Sequence, residues 1–147
     1  MKNRLNIKIA NDDDFNSIYN FVNELEQTVF NVEDLKRAFE SNVNNPDHIY
    51  LIAEMNDEPV GYLSCHSQLL LHHGGQKIAE IQEMYVNPES RKNGIGKGLV
   101  DELKRIAKLK EIEQLEVTSN NKRGDTHRFY EREKFVQSHK KFTYRIG

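Results

Sequence analysis

The sequence predicts an α/β fold built on one sheet. Short stretches in which apolar and polar residues alternate, as in half-buried strands, lie between longer stretches with apolar residues at helical spacing. One strand, over residues 78–86, runs directly into a glycine-rich loop and then into an amphipathic helix. The chain has neither a repeat nor a linker, and its length suits one domain, so we expect a single domain over residues 1–147.

The first half of the chain is predicted to begin with a strand and two capped helices. Asn11 and Asn31 are each placed to accept a hydrogen bond from the first turn of a helix. Residues 44–47, rich in asparagine and containing proline, end the second helix. The predicted elements are a strand, two helices and two hairpin strands, at residues 5–9, 15–29, 35–39, 50–54 and 60–65.

The second half continues the alternation of strands and helices. Its longest helix buries Ile95, Leu99, Leu103 and Ile106, which recur at helical spacing. The predicted elements are a strand, a helix, a short strand, a helix and one or two closing strands, at residues 78–86, 95–109, 115–117, 125–133 and 135–146. The resulting order is β-α-α-β-β-β-α-β-α-β.

Composition narrows the class of protein. Charged residues make up 30% of the chain, no apolar run approaches the length of a membrane span, and Met1 does not lead into a signal-peptide core, so we expect a cytoplasmic protein. The single cysteine, Cys65, fits a reducing compartment and is expected to be buried in a strand. The net charge of −2 argues against non-specific nucleic-acid binding.

The stretch from Arg91 to Lys97 carries the strongest chemical signal. Its glycines, Gly94 and Gly96, allow close approach of a ligand to the backbone, and the amides at the start of the following helix attract anions. Three basic side chains add positive charge, which suits a pyrophosphate. The spacing differs from that of a P-loop, which needs a hydroxyl after its lysine, and from a Gly-x-Gly-x-x-Gly dinucleotide loop. A tight turn without a ligand is the alternative.

The arrangement Arg-x-x-Gly-x-Gly after a strand ending in Val-x-Pro resembles the acetyl-CoA loop of the GCN5-related N-acetyltransferase (GNAT) superfamily. The resemblance extends over nearly the whole chain. It implies a mixed, mostly antiparallel sheet of six or seven strands with about four helices, splayed open where acetyl-CoA, the co-substrate, binds. The cofactor-binding residues that it implies are Met84, Tyr85, Val86, Arg91, Lys92, Asn93, Gly94, Ile95, Gly96, Lys97 and Asn120.

Further segments are similar to the bacterial aminoalkylphosphonate N-acetyltransferases. They are Leu71–His73, Glu80–Glu83, Ser119–Tyr130 and Gln137–His139. This resemblance implies that the substrate is a small primary amine carrying a phosphonate. An aminoglycoside, a polyamine or a protein N-terminus is the alternative substrate, and a non-catalytic acyl-CoA sensor or a nucleotide-binding module is the alternative class. Cations that could hold a phosphonate are Arg123, Arg128, Lys140 and Arg145.

Two residues are predicted to be catalytic. Glu80 lies on the strand before the loop, where the superfamily often carries its general base, and Glu83 should face the other way in a regular strand. Tyr130 matches the tyrosine with which the family protonates the departing CoA thiolate. The family usually has glycine before the following phenylalanine, whereas this chain has Lys134. An exposed Glu80 or a packing Tyr130 would be the structural alternatives.

Substrate contacts are predicted for His72, His73, Glu83 and His139. His72 and His73 should diverge if their segment is extended, and His139 falls in a predicted closing strand. The histidines and the cysteine lack the spacing of a metal site, so we predict no metal. The expected partner is a small-molecule amine. Exposed edge strands make a homodimer plausible.

Overall fold

A computed structural model describes residues 4–119 and 124–147. Its five strands follow one another across a single sheet in chain order; β1 to β4 are antiparallel, whereas β5 runs parallel to β4. No helix within these two ranges is both long and apolar enough to cross a membrane. The elements are β1 Leu5–Ile9, α1 Phe15–Glu26, α2 Val32–Val43, β2 His48–Met55, β3 Glu58–Leu69, β4 Lys77–Val86, α3 Ile95–Leu109, β5 Gln114–Val117 and α4 Gly124–Arg132.

Both predicted asparagine caps form, but Asn11 caps a 3-10 turn, Asp12–Asp14, that leads into α1, whereas Asn31 caps α2 itself. The side chain of Asn11 accepts a hydrogen bond from the Asp13 amide at 2.8 Å, and that of Asn31 accepts one from the Asp34 amide at 2.9 Å. Helix α3 has the predicted bounds, because its apolar residues form one stripe and Gly94 stands just before its first turn.

Two apolar cores lie on opposite faces of the sheet. The α3 core packs α3 and α4 against one face; it includes Leu51, Leu63, Ile81, Leu99 and Leu103. The α1 core packs α1 and α2 against the other face; it includes Ile18, Phe21, Phe39, Ile52 and Tyr62. Alternate residues of β2, β3 and β4 therefore serve different cores.

A bulge interrupts this alternation in β4. Cys65 pairs with Ile81, but Ser64 pairs with Glu83, so Gln82 is an extra residue between two paired positions. Ile81 and Met84, three residues apart, therefore both face the α3 core.

The bulge places Glu80 and Glu83 on the same face of the sheet. Glu80 lies between Ala79 and Ile81, which both belong to the α3 core, and Glu83 precedes Met84, which packs against that core. Both carboxylates therefore face the side of α1 and α2. The expectation that Glu83 would face away from Glu80 is wrong, because it assumed a regular strand.

The sheet opens between β4 and β5. Their pairing covers Ile78–Ile81 and Gln114–Val117, and β4 continues for five further residues without β5 beside it. We call this opening the β4/β5 split. It begins next to Glu80 and leads towards the glycine-rich loop, as the family resemblance implies.

The predicted closing strands are absent from the structure. Residues 136–147 are described but form no strand, and each of them is exposed. An alternating pattern alone does not make a strand, because a strand must also pair with the edge of a neighbouring strand, and this segment pairs with none. The described residues consequently contain five strands rather than the six or seven expected.

Candidate active site

The glycine-rich loop turns sharply after β4. Lys92 and Gly94 both have left-handed backbone conformations, with φ of 73° and 75°. The Arg91 Nε donates to the Val86 carbonyl at 3.3 Å, which ties the loop to the end of β4. The first helical hydrogen bond runs from the Gly98 amide to the Gly94 carbonyl, so the amides before it precede the ladder of α3 and can serve an anion.

Ile95 and Gly96 can offer only their backbones to a ligand at the start of α3. The Ile95 side chain is 1% exposed and packs in the α3 core. At Gly96, an added Cβ would lie 3.3 Å from the Phe129 ring. The second glycine therefore lets α4 approach the start of α3 closely, which is a packing role in addition to any contact with a ligand.

Lys97 is engaged by carboxylates. Its Nζ lies 3.4 Å from Asp101 and 3.4 Å from Glu133, and the field of these two groups raises its pKa. Lys104 donates to the Glu133 carbonyl at 2.7 Å. These contacts join α3 to the end of α4, so Lys97 has a structural partner that the sequence did not reveal.

The last residues of β4 alternate across the sheet. Met84 and Val86 pack against the α3 core. The Tyr85 side chain lies on the other face, where its ring centroid is 5.2 Å from that of Phe21 and its hydroxyl donates to the Glu24 carboxylate. Tyr85 can therefore offer only its backbone to a ligand in the split.

Tyr130 is buried in the α3 core. Its side chain is 7% exposed, and its ring contacts Phe129 and Phe135 at centroid distances of 5.2 and 5.4 Å. Burial raises its pKa to about 12. The phenol is therefore protonated throughout the neutral range and can donate a proton.

Lys134 preserves the turn that follows α4. It adopts a left-handed conformation with φ of 74°, and its amide donates to the Glu131 carbonyl at 3.1 Å. The Phe135 amide donates to the Tyr130 carbonyl at 2.9 Å, which completes a Schellman motif. The lysine at the family's glycine position therefore keeps this geometry, which also holds Phe135 against the Tyr130 ring.

The two carboxylates on the other face have different surroundings. Glu80 is half-buried and accepts a hydrogen bond from the Thr118 hydroxyl at 2.9 Å, across the start of the split. Glu83 accepts from the Tyr62 hydroxyl at 2.8 Å and the Ser64 hydroxyl at 2.5 Å. Glu83 is therefore held by two short hydrogen bonds from hydroxyls, whereas Glu80 has one from Thr118 and a longer one, at 3.5 Å, from the side-chain amide of Gln82.

Sequence reasoning missed the polar side chains that surround Glu83. Tyr62, Ser64 and His66 occupy alternate positions of β3, which was the available signal, because that spacing puts them on one face. The pKa of Tyr62 is raised well above its usual value by burial, so its hydroxyl is a hydrogen-bond donor to Glu83.

A second polar group adjoins this row. The hydroxyl of Tyr50 lies 2.9 Å from the His66 Nε2, and the His48 ring stacks on that of His66 at 3.7 Å. Burial raises the pKa of Tyr50 to about 12. The pKa of His66 is lowered, mainly by burial and then by the neighbouring His48. Tyr50 and His66 therefore share one hydrogen bond, whose direction is set by the tautomer of His66.

The predicted substrate histidines occupy two different segments of the chain. His72 and His73 occupy a short 3-10 turn before β4, at the opposite end of that strand from the glycine-rich loop. Their rings are 4.6 Å apart, because the segment is turned; the divergence expected of an extended segment therefore does not occur. His139 lies in the exposed segment after α4, where its Nδ1 is 2.6 Å from the Ser138 hydroxyl.

Two residues with predicted binding roles cannot be located. Asn120 and Arg123 lie outside the described residues.

Among residues 4–119 and 124–147, no group of three or more histidine, cysteine or acidic side chains is arranged to hold a metal. Cys65 is 1% exposed, as expected, and burial raises its pKa to about 12.

An open groove of about 570 Å³ lies near Tyr85, on the face of the sheet that α1 and α2 cover. It is lined by Tyr19, Asn20, Asn23, Glu24, Thr28 and Val29. Glu24 connects it to Tyr85 through their hydrogen bond. Its lining contains an acidic side chain and neutral amides but neither lysine nor arginine, so it suits an amine better than a phosphonate.

Comparisons with known proteins agree with this architecture. Residues 15–135 match the family model described as the acetyltransferase (GNAT) family. The chain therefore belongs to the GNAT family and is an N-acetyltransferase, which confirms the class of enzyme expected from the loop.

One relative is similar in sequence, and two solved structures are similar in fold. The chain is 36% identical over 137 residues to the aminoalkylphosphonate N-acetyltransferase of Salmonella typhimurium, covering 93% of this chain and 88% of that protein. A transcriptional regulator from Bacillus halodurans has a similar structure, with a TM-score of 0.89, 22% identity and coverage of 97% and 100%. An aminoglycoside N-acetyltransferase in complex with CoA also has a TM-score of 0.89, at 13% identity and coverage of 99% and 97%. Both structural likenesses concern the fold.

Proposed function

We propose that this enzyme transfers the acetyl group of acetyl-CoA directly to the primary amine of a small molecule, in a ternary complex within one catalytic domain. An aminoalkylphosphonate is the first candidate substrate. The observation that carries the proposal is the β4/β5 split, with Glu80 and Glu83 on one face of the sheet and Tyr130 on the other. An amine and a thioester approaching from opposite faces would each meet a suitable proton-transfer group.

The loop and the start of α3 fit a CoA pyrophosphate. Left-handed turns at Lys92 and Gly94 bring the backbone round to the helix start, where amide groups and the helix dipole favour an anion. Arg91 and Lys92 add positive charge, whereas Lys97 is shared with its two carboxylates. Acetyl-CoA supplies the acetyl group as a thioester. The remaining proposed contacts are Asn93, the backbone of Ile95 and Gly96, the open edge at Met84–Val86, and Asn120.

The carboxylate face would receive the amine. Glu83, held by Tyr62 and Ser64, would pair with the incoming ammonium group. Glu80 would accept a proton from it, directly or through water, so that the neutral amine attacks the thioester carbonyl. The second proton that the nitrogen loses as the amide forms would pass to solvent. A backbone amide near Met84 and Tyr85 would stabilise the oxyanion.

The opposite face would receive the leaving group. As the carbon–sulfur bond breaks, the Tyr130 hydroxyl would donate its proton to the thiolate of CoA, and solvent would return a proton to the tyrosine. The pKa of about 12 keeps this hydroxyl protonated before each turnover.

Thiol release from acetyl-CoA tests the proposal on purified protein. Amines on trial would be 2-aminoethylphosphonate, spermidine and kanamycin. Release with the phosphonate alone supports the narrow substrate assignment, whereas release with another amine replaces it. Absence of release with every amine, while CoA still binds, would overturn the catalytic proposal in favour of a sensor.

Three isosteric variants separate the roles of the residues. Glu80→Gln and Tyr130→Phe should each lower kcat by about 10²- to 10⁴-fold, the usual contribution of a general acid or base. Glu83→Gln should mainly raise the KM for the amine. Glu58→Gln, an exposed carboxylate at the start of β3, is the matched control and should retain activity. Unchanged turnover across pH in Tyr130→Phe would refute the acid assignment.

A further inference from the structure

Ser64 is a buried polar residue at the centre of the sheet. It lies in the middle of β3 and has no exposed surface. It faces α1 and α2, because its neighbours Leu63 and Cys65 both belong to the α3 core on the other face. A hydroxyl that is buried in this way costs free energy unless it is hydrogen-bonded. The contacts of the Ser64 hydroxyl therefore indicate its role.

The Ser64 hydroxyl makes two hydrogen bonds with Glu83. The Glu83 amide donates to the Ser64 Oγ at 3.1 Å, and the Ser64 Oγ donates to the Glu83 Oε1 at 2.5 Å. One hydroxyl thus connects the backbone and the carboxylate of the same residue. The two residues are paired across β3 and β4 at the bulge, where Gln82 is the extra residue and the ladder of the sheet is disrupted.

The side-chain donors to Glu83 converge on one of its two oxygens. The Tyr62 hydroxyl donates to Oε1 at 2.8 Å, and the Ser64 hydroxyl donates to the same atom. Among residues 4–119 and 124–147, no side chain donates to the Oε2 of Glu83, and the residue is only half-buried. A carboxylate oxygen with its lone pairs open is a strong acceptor for an ammonium group.

We propose that Ser64 is a positioning residue of the amine site, whose hydroxyl holds Glu83 so that Oε2 meets the ammonium group of the incoming amine. This inference rests on the role of Glu83 in the proposed function. Because Ser64 also accepts the Glu83 amide, it fixes both the backbone at the bulge and the orientation of the carboxylate. Tyr62 contributes only to the orientation.

A residue that served packing alone would affect stability without affecting the amine. Loss of the Ser64 hydroxyl should instead allow the Glu83 carboxylate several orientations. The amine must then order that side chain when it binds, which lowers its affinity. Acetyl-CoA is proposed to meet the glycine-rich loop and the Tyr130 face, so its affinity should not depend on Ser64.

Titration calorimetry on the CoA-loaded protein measures the affinity for an amine without turnover. The probe is 2-aminoethylphosphonate, or whichever amine of the panel gives thiol release. Ser64→Ala should raise the Kd and the KM of the amine about ten-fold, the effect of losing a hydrogen bond to a charged group, and should leave the KM for acetyl-CoA unchanged. Ser64→Thr, which keeps the hydroxyl, should restore most of the affinity. Ser67→Ala is the matched control, because the Ser67 hydroxyl lies on the same strand but donates to the Asp47 carbonyl.

A double variant shows whether Ser64 acts through Glu83. In a Glu83→Ala background, Ser64→Ala should cause little further loss of amine affinity, because the carboxylate that it positions is already gone. An additive loss would overturn the proposal, and so would parental affinity in Ser64→Ala where Glu83→Ala is weakened. Parental affinity in Glu83→Ala, or no amine binding by the parent, would refute the proposed function, and the inference would fall with it.

Amide hydrogen exchange measured by NMR gives a readout that needs no ligand. The Glu83 amide should exchange faster in Ser64→Ala than in the parent, because its acceptor is removed. Tyr62→Phe, which removes the other donor to Oε1 and leaves the amide bonded, should not change this rate. A parental exchange rate at Glu83 in Ser64→Ala would show that the hydroxyl does not hold the bulge and would overturn the proposal.

Discussion

Replacement of Lys134 by glycine should stabilise the protein. Lys134 occupies the position after the C-cap of α4, with φ of 74° and both hydrogen bonds of the Schellman motif formed. A residue with a Cβ is strained in this conformation, whereas glycine adopts it freely. The lysine is exposed, so little packing is lost on its removal.

The expected gain follows from two opposing terms. Relief of left-handed strain contributes about 1–2 kcal/mol. Glycine also increases the entropy of the unfolded chain, which costs about 0.4–1 kcal/mol. The middle of the two ranges gives a net increase in unfolding free energy of about 0.8 kcal/mol, which corresponds to a rise in Tm of about 2–3 °C for a chain of this size.

Urea and thermal unfolding monitored by circular dichroism would measure the change. Lys134→Ala is the matched control, because it keeps the strain and removes the same side chain, and its stability should stay near that of the parent. Acetyl transfer by Lys134→Gly should be unchanged, since Tyr130 keeps its Schellman contacts. A stability equal to or below that of Lys134→Ala would refute the reasoning.

Three further predictions concern the packing and titration of the sheet. Gly61→Ala should lower the unfolding free energy by about 1–3 kcal/mol in urea, because its Cβ would lie 3.1 Å from the Tyr85 carbonyl oxygen; Gly98→Ala, which meets only side-chain ends in a helix, should not. The Cys65 thiol should not react with a chromogenic disulfide reagent in the native protein, because it is buried, and should release one equivalent of chromophore after denaturation. Reaction in the native state would contradict this. Stability should fall as pH drops below about 6.5, since a lowered His66 pKa means that the unfolded chain binds more protons there; His66→Gln should weaken this dependence.

Much of the fold was predictable because its signals are local. The bounds of α3 follow from an apolar stripe between Gly94 and Lys110. Asn31 caps α2, and Asn11 caps the short 3-10 turn that leads into α1. Local patterns also predicted closing strands that the structure lacks. Alternation reports a preference for extended backbone, but it carries no information about whether a partner edge lies within reach.

The candidate site was only partly predictable. Glu80, Glu83 and Tyr130 remain predictions as functional residues, although each is now placed. The relation between the two glutamates depended on one extra residue, Gln82, which has no distinctive sequence signal. The partners of Glu83 come from a neighbouring strand, and sequence separation concealed them.

The class of enzyme was implied by the resemblance of the sequence to a known family. By itself, the sequence determined the order of the elements up to α4 and the strand–loop–helix unit expected to hold a pyrophosphate. These depend on composition, periodicity and glycine placement, which act over a few residues. The tertiary structure alone decided that the two carboxylates share one face, that Lys97 is paired with Glu133, and that the apolar side chains of residues 136–147 are exposed. Those features depend on strand register and on contacts between distant segments, and both arise only when the chain packs.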